Sequence, residues 1–238
     1  MTDLYKRHRP RKLADLVGQP DAVAQIEGFV SKGRIPQALM FHGPSGVGKT
    51  TATRVLRKLV ECSDGDYVEI NAASSRGIDT IRDIEHTVAL APLGGKARMW
   101  VIDEAHKTTS DFQHAALKVL EDMPSHAYFI LCTTEPERLI PTIHTRCRKI
   151  RFGPIRQKDL EGLVDRVCEK EKEKVSPEVR EAITEAADGS ARRCLQLLGA
   201  VLDVGDDEET RLRSVQKADI RKQGIDLARI LMRPRSQW

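Results

Sequence analysis

The fold is decided by one stretch of sequence, Gly43-Pro44-Ser45-Gly46-Val47-Gly48-Lys49-Thr50. An apolar run at residues 38–41 precedes it and an amphipathic stretch at 50–60 follows it, which predicts a strand, a loop and a helix. Glycines let backbone N–H groups curl around phosphate oxygens, and the start of the helix adds a favourable dipole. This context favours a phosphate-binding loop over a chance glycine-rich turn. The predicted nucleotide contacts are Gly43, Pro44, Ser45, Gly46, Val47, Gly48, Lys49, Thr50 and Thr51.

Two side chains of the loop have distinct predicted roles. The ammonium of Lys49 is expected on the β- and γ-phosphates, where it also serves catalysis, and the hydroxyl of Thr50 is expected to bind Mg²⁺. The cofactors predicted from these residues are therefore ATP and Mg²⁺.

A second apolar run, residues 99–102, ends in two carboxylates, Asp103 and Glu104. The C-terminal ends of parallel strands meet at the ligand, so Asp103 is expected beside the Mg²⁺ held by Thr50. Glu104 is then the candidate general base for the attacking water, which favours an ATPase over binding alone. The alternative is an ordinary strand end followed by a helix cap. Asp103-Glu104-Ala105-His106 also matches a helicase box, but that function needs a second motor domain, for which we expect no room.

Strands and helices are predicted to alternate over the first 150 residues. Strands are expected at residues 38–41, 67–70, 99–102, 128–132 and 149–152, with helices at 50–60, 78–88 and 112–121. After Pro154 only helices are expected, at 157–171, 177–187 and 191–204. The pattern predicts an α/β core with a five-stranded parallel sheet over residues 1–154 and a small all-α domain over 155–204. Residues 205–238 are expected to form an acidic linker and a basic helical tail that includes 225–232.

Composition indicates a globular protein and excludes several classes. The 238 residues carry a net charge of +4, with 40% hydrophobic and 31% charged residues. No apolar run approaches the roughly 20 residues that span a bilayer, and the N-terminus lacks the apolar stretch of a signal peptide. Five cysteines without a Cys-x-x-Cys pair make a disulfide framework or closed zinc site improbable. We therefore expect a cytoplasmic protein with no membrane partner.

Several further stretches carry a family resemblance over about residues 4–204. They are Leu4-Tyr5-Lys6-Arg7-His8-Arg9-Pro10 with Leu16-Val17-Gly18-Gln19, Glu69-Ile70-Asn71-Ala72-Ala73-Ser74 with Arg76-Gly77-Ile78-Asp79, and Gln113-His114-Ala115-Ala116-Leu117-Lys118-Val119-Leu120-Glu121. Together they resemble the motor subunits of sliding-clamp loaders, which are AAA+ ATPases that include replication factor C small subunits and bacterial gamma/tau subunits. The resemblance implies an AAA+ P-loop NTPase fold, with the all-α domain as a lid.

The resemblance also assigns roles around the nucleotide. The N-terminal segment of the family lies against the adenine, which implies contacts by Tyr5, Arg9, Pro10, Val17 and Gly18. Without the resemblance this segment is a basic tail.

Thr133-Thr134-Glu135-Pro136 stands where the family has its polar first sensor. The spacing favours Thr134, although Thr133 is not excluded, and strand-end capping is the alternative role. Asn71 matches the position of a switch residue that restrains the catalytic glutamate.

Two arginines acquire catalytic roles only through the resemblance. Thr145-Arg146-Cys147 stands where the family has Ser-Arg-Cys, which implies that Arg146 is an arginine finger acting on the ATP of a neighbouring subunit. Gly189-Ser190-Ala191-Arg192 resembles the start of the lid helix, so Arg192 would contact the phosphates in cis as the second sensor.

Contacts to primer–template DNA are implied for four basic residues. Arg76, Arg82 and Lys118 fall in helices that match the inner surface of the clamp-loader spiral, and Lys107 is a further candidate. Backbone recognition needs such cations, although each one taken alone is an ordinary solvated helix residue.

The resemblance thus implies an ATP-dependent motor that opens a sliding clamp and places it on primer–template DNA. Its implied partners are other loader subunits, in a complex that is expected to be pentameric, together with the clamp and the DNA. One alternative is another AAA+ motor, such as a branch-migration helicase, which carries a winged-helix domain not found here. A second alternative is a nucleotide-dependent scaffold without catalysis.

Two departures from the family pattern are visible. Bacterial gamma/tau subunits have a cysteine-rich zinc insertion after the phosphate loop, where this sequence has only Cys62, so no zinc is predicted. Residues 225–231 look like the first helix of a collar domain, most of which the sequence does not contain. We therefore expect a minimal or phage-like system, located in the host cytoplasm if a phage encodes it.

Overall fold

Five parallel strands form a single sheet in the computed structural model, which describes residues 3–75, 77–205 and 207–231. The strands are β1 (Ala38–His42), β2 (Cys62–Asn71), β3 (Ala97–Asp103), β4 (Ala127–Thr133) and β5 (Arg148–Arg151). Their order across the sheet is β2-β3-β4-β1-β5, and every neighbouring pair is parallel. β4 lies between β3 and β1, and all three strands are parallel, so their C-terminal ends meet at one edge of the sheet. The predicted five-stranded α/β fold is confirmed.

Helices cover the sheet and continue beyond it. Those of the first part of the chain are α1 (Leu4–Arg7), α2 (Pro20–Ser31), α3 (Lys49–Leu59), α4 (Ile78–Val88), α5 (Ser110–Glu121) and α6 (Pro141–Arg146). Those after the sheet are α7 (Gln157–Glu171), α8 (Pro177–Ala186), α9 (Ala191–Leu202) and α10 (Glu208–Leu231). None of the helices in the described part of the chain combines the length and apolarity needed to cross a membrane.

The sheet is buried on both faces because successive strand residues point in opposite directions. Phe41 of β1 lies in one cluster, with Leu56 of α3. Its neighbour Met40 lies in a second cluster, with Ile81 of α4 and Phe112 of α5. Each strand is therefore apolar on both sides, which is why continuous apolar runs, rather than alternating ones, predicted the sheet.

A buried carboxylate fastens the segment before β3 to β2. Asp66 is fully buried and accepts hydrogen bonds from Ser63 Oγ (2.6 Å) and from the backbone N–H of Leu93 (2.8 Å) and Gly94 (3.1 Å). Its Oδ1 also lies 3.3 Å from Nε of Arg98. Burial alone raises the pKa of Asp66, but these donors outweigh it and hold the pKa below its ordinary value.

The chain separates into two compact units, one of residues 10–154 and one that joins the residues up to Arg9 to those from Ile155 onward. We call them the ATPase unit and the helical unit. The sequence analysis assigned residues 1–9 to the core, whereas residues 3–9 belong to the helical unit. Leu4 is buried beside Gly199 of α9, and both Arg7 and His8 pair with Glu171 of α7. These are contacts between residues more than 160 positions apart in sequence, which no local pattern reveals.

The expected linker and tail also differ from the structure. Asp207 Oδ2 accepts the backbone N–H of Thr210 (2.8 Å), so the acidic segment starts a helix rather than a linker. Arg211 is buried and donates to the carbonyl oxygens of Gly205 (2.6 Å) and Lys174 (2.9 Å). The first half of α10 is thus part of the helical unit. The predicted tail helix at 225–232 falls within α10 except for its last residue, which lies outside the described residues.

Candidate functional site

Positive φ angles shape the phosphate loop between β1 and α3. Gly43 has φ +142°, Gly46 has 76° and Gly48, which directly precedes α3, has +106°. A Cβ on Gly43 would lie 1.9 Å from the carbonyl oxygen of Phe152. Glycine is therefore required at this position for two reasons, the dihedral angle and the close approach of the chain after β5. Val47, between these glycines, is buried in the cluster that contains Phe41 and fixes the loop to the core.

Lys49 occupies the centre of this loop. Its side chain is buried, and Nζ donates to the carbonyl oxygens of Gly43 (2.8 Å) and Pro44 (2.7 Å). The loop thus curls around an ammonium group at the N-terminus of α3, as a site for phosphate requires. The residues fit a nucleoside triphosphate.

The two predicted magnesium ligands are brought together across the sheet edge. Thr50 Oγ1 lies 3.2 Å from Asp103 Oδ2, and the other carboxylate oxygen of Asp103 accepts the backbone N–H of Glu104 (3.0 Å). Burial raises the pKa of Asp103, and the hydrogen bond from Glu104 opposes it. A divalent cation would offset that loss of hydration, because its charge favours the ionised carboxylate. Hydroxyl and carboxylate oxygens are the hard ligands that Mg²⁺ prefers, so the donor set fits this ion.

Glu104 follows β3 in the left-handed backbone region, with φ 54°. This conformation is uncommon for a residue other than glycine and is frequent at functional sites. The carboxylate lies 3.4 Å from Nε2 of His106 and 3.4 Å from Nζ of Lys107. His106 is buried and was not predicted as a site residue, although the Asp-Glu-Ala-His pattern contained it.

The two candidates for the first sensor are Thr133, the last residue of β4, and Thr134, which directly follows it. Thr133 is buried, and its hydroxyl contacts Nδ1 of His106 (3.1 Å) and accepts the N–H of Glu135 (3.1 Å). Cys132 lies in the cluster with Val47, on the face of the sheet that α3 covers. Thr134 directly follows the strand and is half-buried, so it stays the predicted first sensor.

Asn71 ends β2 and pairs in register with Asp103 of β3. Its Oδ1 accepts the backbone N–H of Ala73 (2.9 Å), so the amide caps its own turn. The contacts of the Glu104 carboxylate are instead with His106 and Lys107, described above.

Arg146 is the last residue of α6 and is exposed. Its Nη2 lies 2.8 Å from Oε1 of Glu121, at the end of α5, with exposed side-chain fractions of 51% and 45%. The predicted arginine finger is therefore on the surface, where a second subunit can reach it, and it is held by a carboxylate of its own chain.

The remaining predicted nucleotide contacts are divided between the two units. In the helical unit, Arg192 is exposed in the first turn of α9, with its guanidinium 5.8 Å from the ring centre of Tyr5. Arg9 in this unit is half-buried. In the ATPase unit, the half-buried residues are Pro10, Val17 and Gly18.

Gln19 fixes the segment that contains Val17 and Gly18. The buried Gln19 amide exchanges two hydrogen bonds with the backbone of Gly153, at 2.8 and 3.0 Å. Gln19 was not predicted as a site residue.

The described candidates for DNA contact are all ion-paired within the chain. Arg82 of α4 lies 3.7 Å from Asp79, Lys107 pairs with Glu104, and Lys118 of α5 pairs with Glu85 of α4. Arg76 lies outside the described residues. Because α4 and α5 are neighbours in one cluster, Arg82 and Lys118 lie on adjacent helices.

All five cysteines are buried free thiols. Among the residues that the structure describes, no three or more His, Cys, Asp or Glu side chains are grouped so as to hold a metal ion.

The fold and the site together define an AAA+ P-loop protein. Its backbone superimposes on the Holliday junction branch migration motor RuvB of Thermotoga maritima with a TM-score of 0.71 and 18% identity, covering 87% of this chain and 72% of that chain. At this identity the likeness shows the fold alone.

The sequence comparisons are more specific. Residues 64–156 match the family model for the DNA polymerase III delta subunit. DNA polymerase III subunit gamma/tau of Mycobacterium tuberculosis is 33% identical over 222 residues, covering 84% of this chain and 38% of that protein. The replication factor C small subunit of Methanothermobacter thermautotrophicus is 33% identical over 204 residues, covering 84% and 63%. The chain belongs to the AAA+ clamp loader subunit family, which confirms the predicted resemblance. It spans 38% of the length of the gamma/tau relative.

Proposed function

We propose that this chain is an ATP-dependent motor subunit of a DNA sliding-clamp loader. The observation that carries the proposal is the 3.2 Å contact between Thr50 Oγ1 and Asp103 Oδ2, beside a loop that encloses the ammonium of Lys49. In a chain of the clamp loader family, this arrangement supports binding of Mg²⁺–ATP.

The proposed reaction is hydrolysis of ATP to ADP and phosphate. The loop and Lys49 bind the β- and γ-phosphates, and Thr50 and Asp103 would hold the Mg²⁺, which would supply positive charge against the phosphates. Glu104 polarises the attacking water as general base. Thr134 contacts the γ-phosphate or the water as first sensor. For Asn71 to restrain Glu104 until DNA is bound, its amide must leave the turn that it caps in this structure.

Hydrolysis in this proposal requires a second subunit. The finger, Arg146, reaches the ATP of a neighbour, where such a group contributes about 10³–10⁵-fold in rate in well-studied phosphoryl-transfer enzymes. Its exposed position supports that role. Arg192 contacts the phosphates in cis and reports nucleotide state to the helical unit. The complex is proposed to be a pentamer with other loader subunits.

ATP binding assembles a spiral that opens the clamp and admits primer–template DNA, and hydrolysis then releases the closed clamp. Arg76, Arg82, Lys107 and Lys118 are the proposed contacts to the DNA backbone, which is recognised without base readout. The proposed location is the cytoplasm.

Measuring ATP turnover by the assembled complex tests the proposal. Primed DNA together with a sliding clamp is expected to stimulate turnover, and Glu104→Gln is expected to bind ATP without hydrolysing it. Mixing Arg146→Ala subunits with Lys49→Ala subunits should restore part of the activity, because the second variant supplies the finger to ATP bound by the first.

Absence of stimulation by both primed DNA and clamp would refute clamp loading. Stimulation by a four-way DNA junction alone would favour a branch-migration motor. Full activity of complexes made only from Arg146→Ala subunits would refute action in trans.

A further inference from the structure

A buried imidazole lies between the proposed general base and the turn that follows β4. Nε2 of His106 is 3.4 Å from Oε2 of Glu104 and 3.4 Å from Oε1 of Glu135. On the other side of the ring, Nδ1 is 3.1 Å from the hydroxyl of Thr133. The His106 side chain is only 2% exposed, whereas the carboxylates of Glu104 and Glu135 that it faces are 31% and 44% exposed.

The chemistry of these partners determines where the ring carries hydrogen. Ionised carboxylates only accept hydrogen bonds, so a hydrogen on Nε2 is what Glu104 or Glu135 would accept, and at 3.4 Å both contacts are longer than an ordinary hydrogen bond. Thr133 Oγ1 accepts the N–H of Glu135 at 3.1 Å, and its own hydrogen can be donated to Nδ1 when the ring carries hydrogen on Nε2. In that tautomer, one N–H would be shared by two carboxylates that lie at equal distance, 3.4 Å.

We propose that His106 is the positioning residue for Glu104 and that it couples the orientation of this carboxylate to the turn after β4. The inference rests on the proposed function, because it concerns the base of the proposed ATPase reaction. Lys107 is the other contact of Glu104, but it is 45% exposed, so solvent and salt screen its attraction. The imidazole is buried, so of the two contacts of Glu104 it is the one that solvent screens least.

The shared N–H explains how the turn can act on the base. Glu135 directly follows Thr134, the proposed first sensor, so a contact between Thr134 and the γ-phosphate moves the carboxylate that competes for Nε2–H. Withdrawal of Glu135 leaves the hydrogen entirely to Glu104, and its approach weakens the hold. The state of the γ-phosphate is thereby transmitted to the general base through one side chain.

Two matched substitutions separate positioning from packing. In His106→Gln the amide nitrogen falls near the position of Nε2, so a donor to Glu104 is retained. In His106→Asn the amide reaches only the position of Nδ1, so the donor is lost while a small polar side chain remains. Both variants disturb the same buried site, which makes each the control for the other.

The test is ATP turnover by the assembled complex with primed DNA and clamp. General bases contribute about 10²–10⁴-fold, so His106→Asn is expected to lower kcat at least about tenfold with the KM for ATP changed less than about twofold. His106→Gln is expected to keep kcat within about threefold of the wild type. In a Glu104→Gln background, His106→Asn should lower the residual rate no further. Glu135→Gln, which weakens the competitor, should leave kcat unchanged or raise it slightly.

The outcomes distinguish the inference from the function on which it rests. If the wild-type complex hydrolyses ATP and both His106 variants lose kcat and thermal stability to the same extent, the histidine only fills space. Wild-type kcat in both variants would overturn the inference as well. A wild-type complex that binds ATP but does not hydrolyse it would instead refute the proposed function.

Discussion

Removing the carboxylate that holds Arg146 should raise the DNA-stimulated ATPase rate. In the structure the guanidinium is paired with Glu121 at 2.8 Å, and this pair must break before Arg146 can reach the ATP of another subunit. The substitution Glu121→Gln keeps the size of the side chain and a hydrogen-bond acceptor while it removes the charge. It therefore changes how readily Arg146 leaves residue 121 for the ATP of another subunit, with little effect on the rest of the structure.

The exposure of the two side chains sets the size of the effect. Both are about half exposed, at 51% and 45%, and exposed ion pairs contribute about 0–1 kcal/mol. Since 1.4 kcal/mol corresponds to a factor of ten, release of the pair should favour the free arginine by at most about fivefold. The rate of the assembled complex should rise by no more than that factor, with the free energy of unfolding nearly unchanged.

The assay is steady-state ATP turnover with saturating primed DNA and clamp at two ionic strengths. The gain from Glu121→Gln should shrink at high salt, because salt already weakens the pair in the wild type. Asp165→Asn is the matched control, since it removes the partner of Arg180 at 3.0 Å on the surface of the helical unit. A fall of more than twofold for Glu121→Gln would refute the reasoning and show that Glu121 orients Arg146 for catalysis.

Three further predictions, with five substitutions among them, test other parts of the structure. Asp66→Asn should lower the free energy of unfolding, measured by chemical denaturation, by about 3 kcal/mol, because a buried ion pair is broken. The folded pKa of Asp66 is lowered, so this loss of free energy should be complete above the ordinary pKa of 3.8 and should disappear as pH falls through the folded pKa. Gly43→Ala should cost at least about 2 kcal/mol and abolish nucleotide binding, whereas Gly28→Ala in α2, where a Cβ meets nothing within 4 Å, should be neutral or stabilising. Lys118→Ala should weaken DNA binding equally for all sequences and lower the salt slope by about 1, and Glu85→Gln should strengthen binding; equal salt slopes for all three proteins would exclude Lys118 as a phosphate contact.

The sequence predicted the sheet and the phosphate loop because both depend on local patterns. Residues 78–88 and 157–171 were predicted as helices with the bounds that α4 and α7 have. Thr50 and Asp103 could be paired in advance because parallel topology brings strand ends to one edge. α2 was missed although its apolar residues recur at helical spacing, with Ile26 buried and Val23 and Phe29 packed against the same cluster. α6 was missed although Pro141 starts it.

What local pattern could not supply is contact between distant segments. The assignment of residues 3–9 to the helical unit depends on Leu4 meeting Gly199, which follows only from tertiary packing. His106 stood in a recognised motif, yet its partners Thr133 and Glu135 lie on the next strand and the turn after it. Asp207 was a visible helix cap, so the start of α10 was available to sequence reasoning and was missed.

The ion pairs of the candidate site change what the net charge of +4 means for ligand binding. Arg146, Lys107 and Lys118, which are proposed to meet phosphates, each pair with a carboxylate of their own chain. Binding of ATP or DNA by these residues is therefore an exchange of one anion for another, and the gain is a difference between two similar energies. Such differences are small for exposed pairs, because salt weakens both the ion pair within the chain and the contact with the ligand. A surface built in this way favours ligands that engage several cations at once, as a DNA backbone or a triphosphate held between two subunits does, over a single isolated anion.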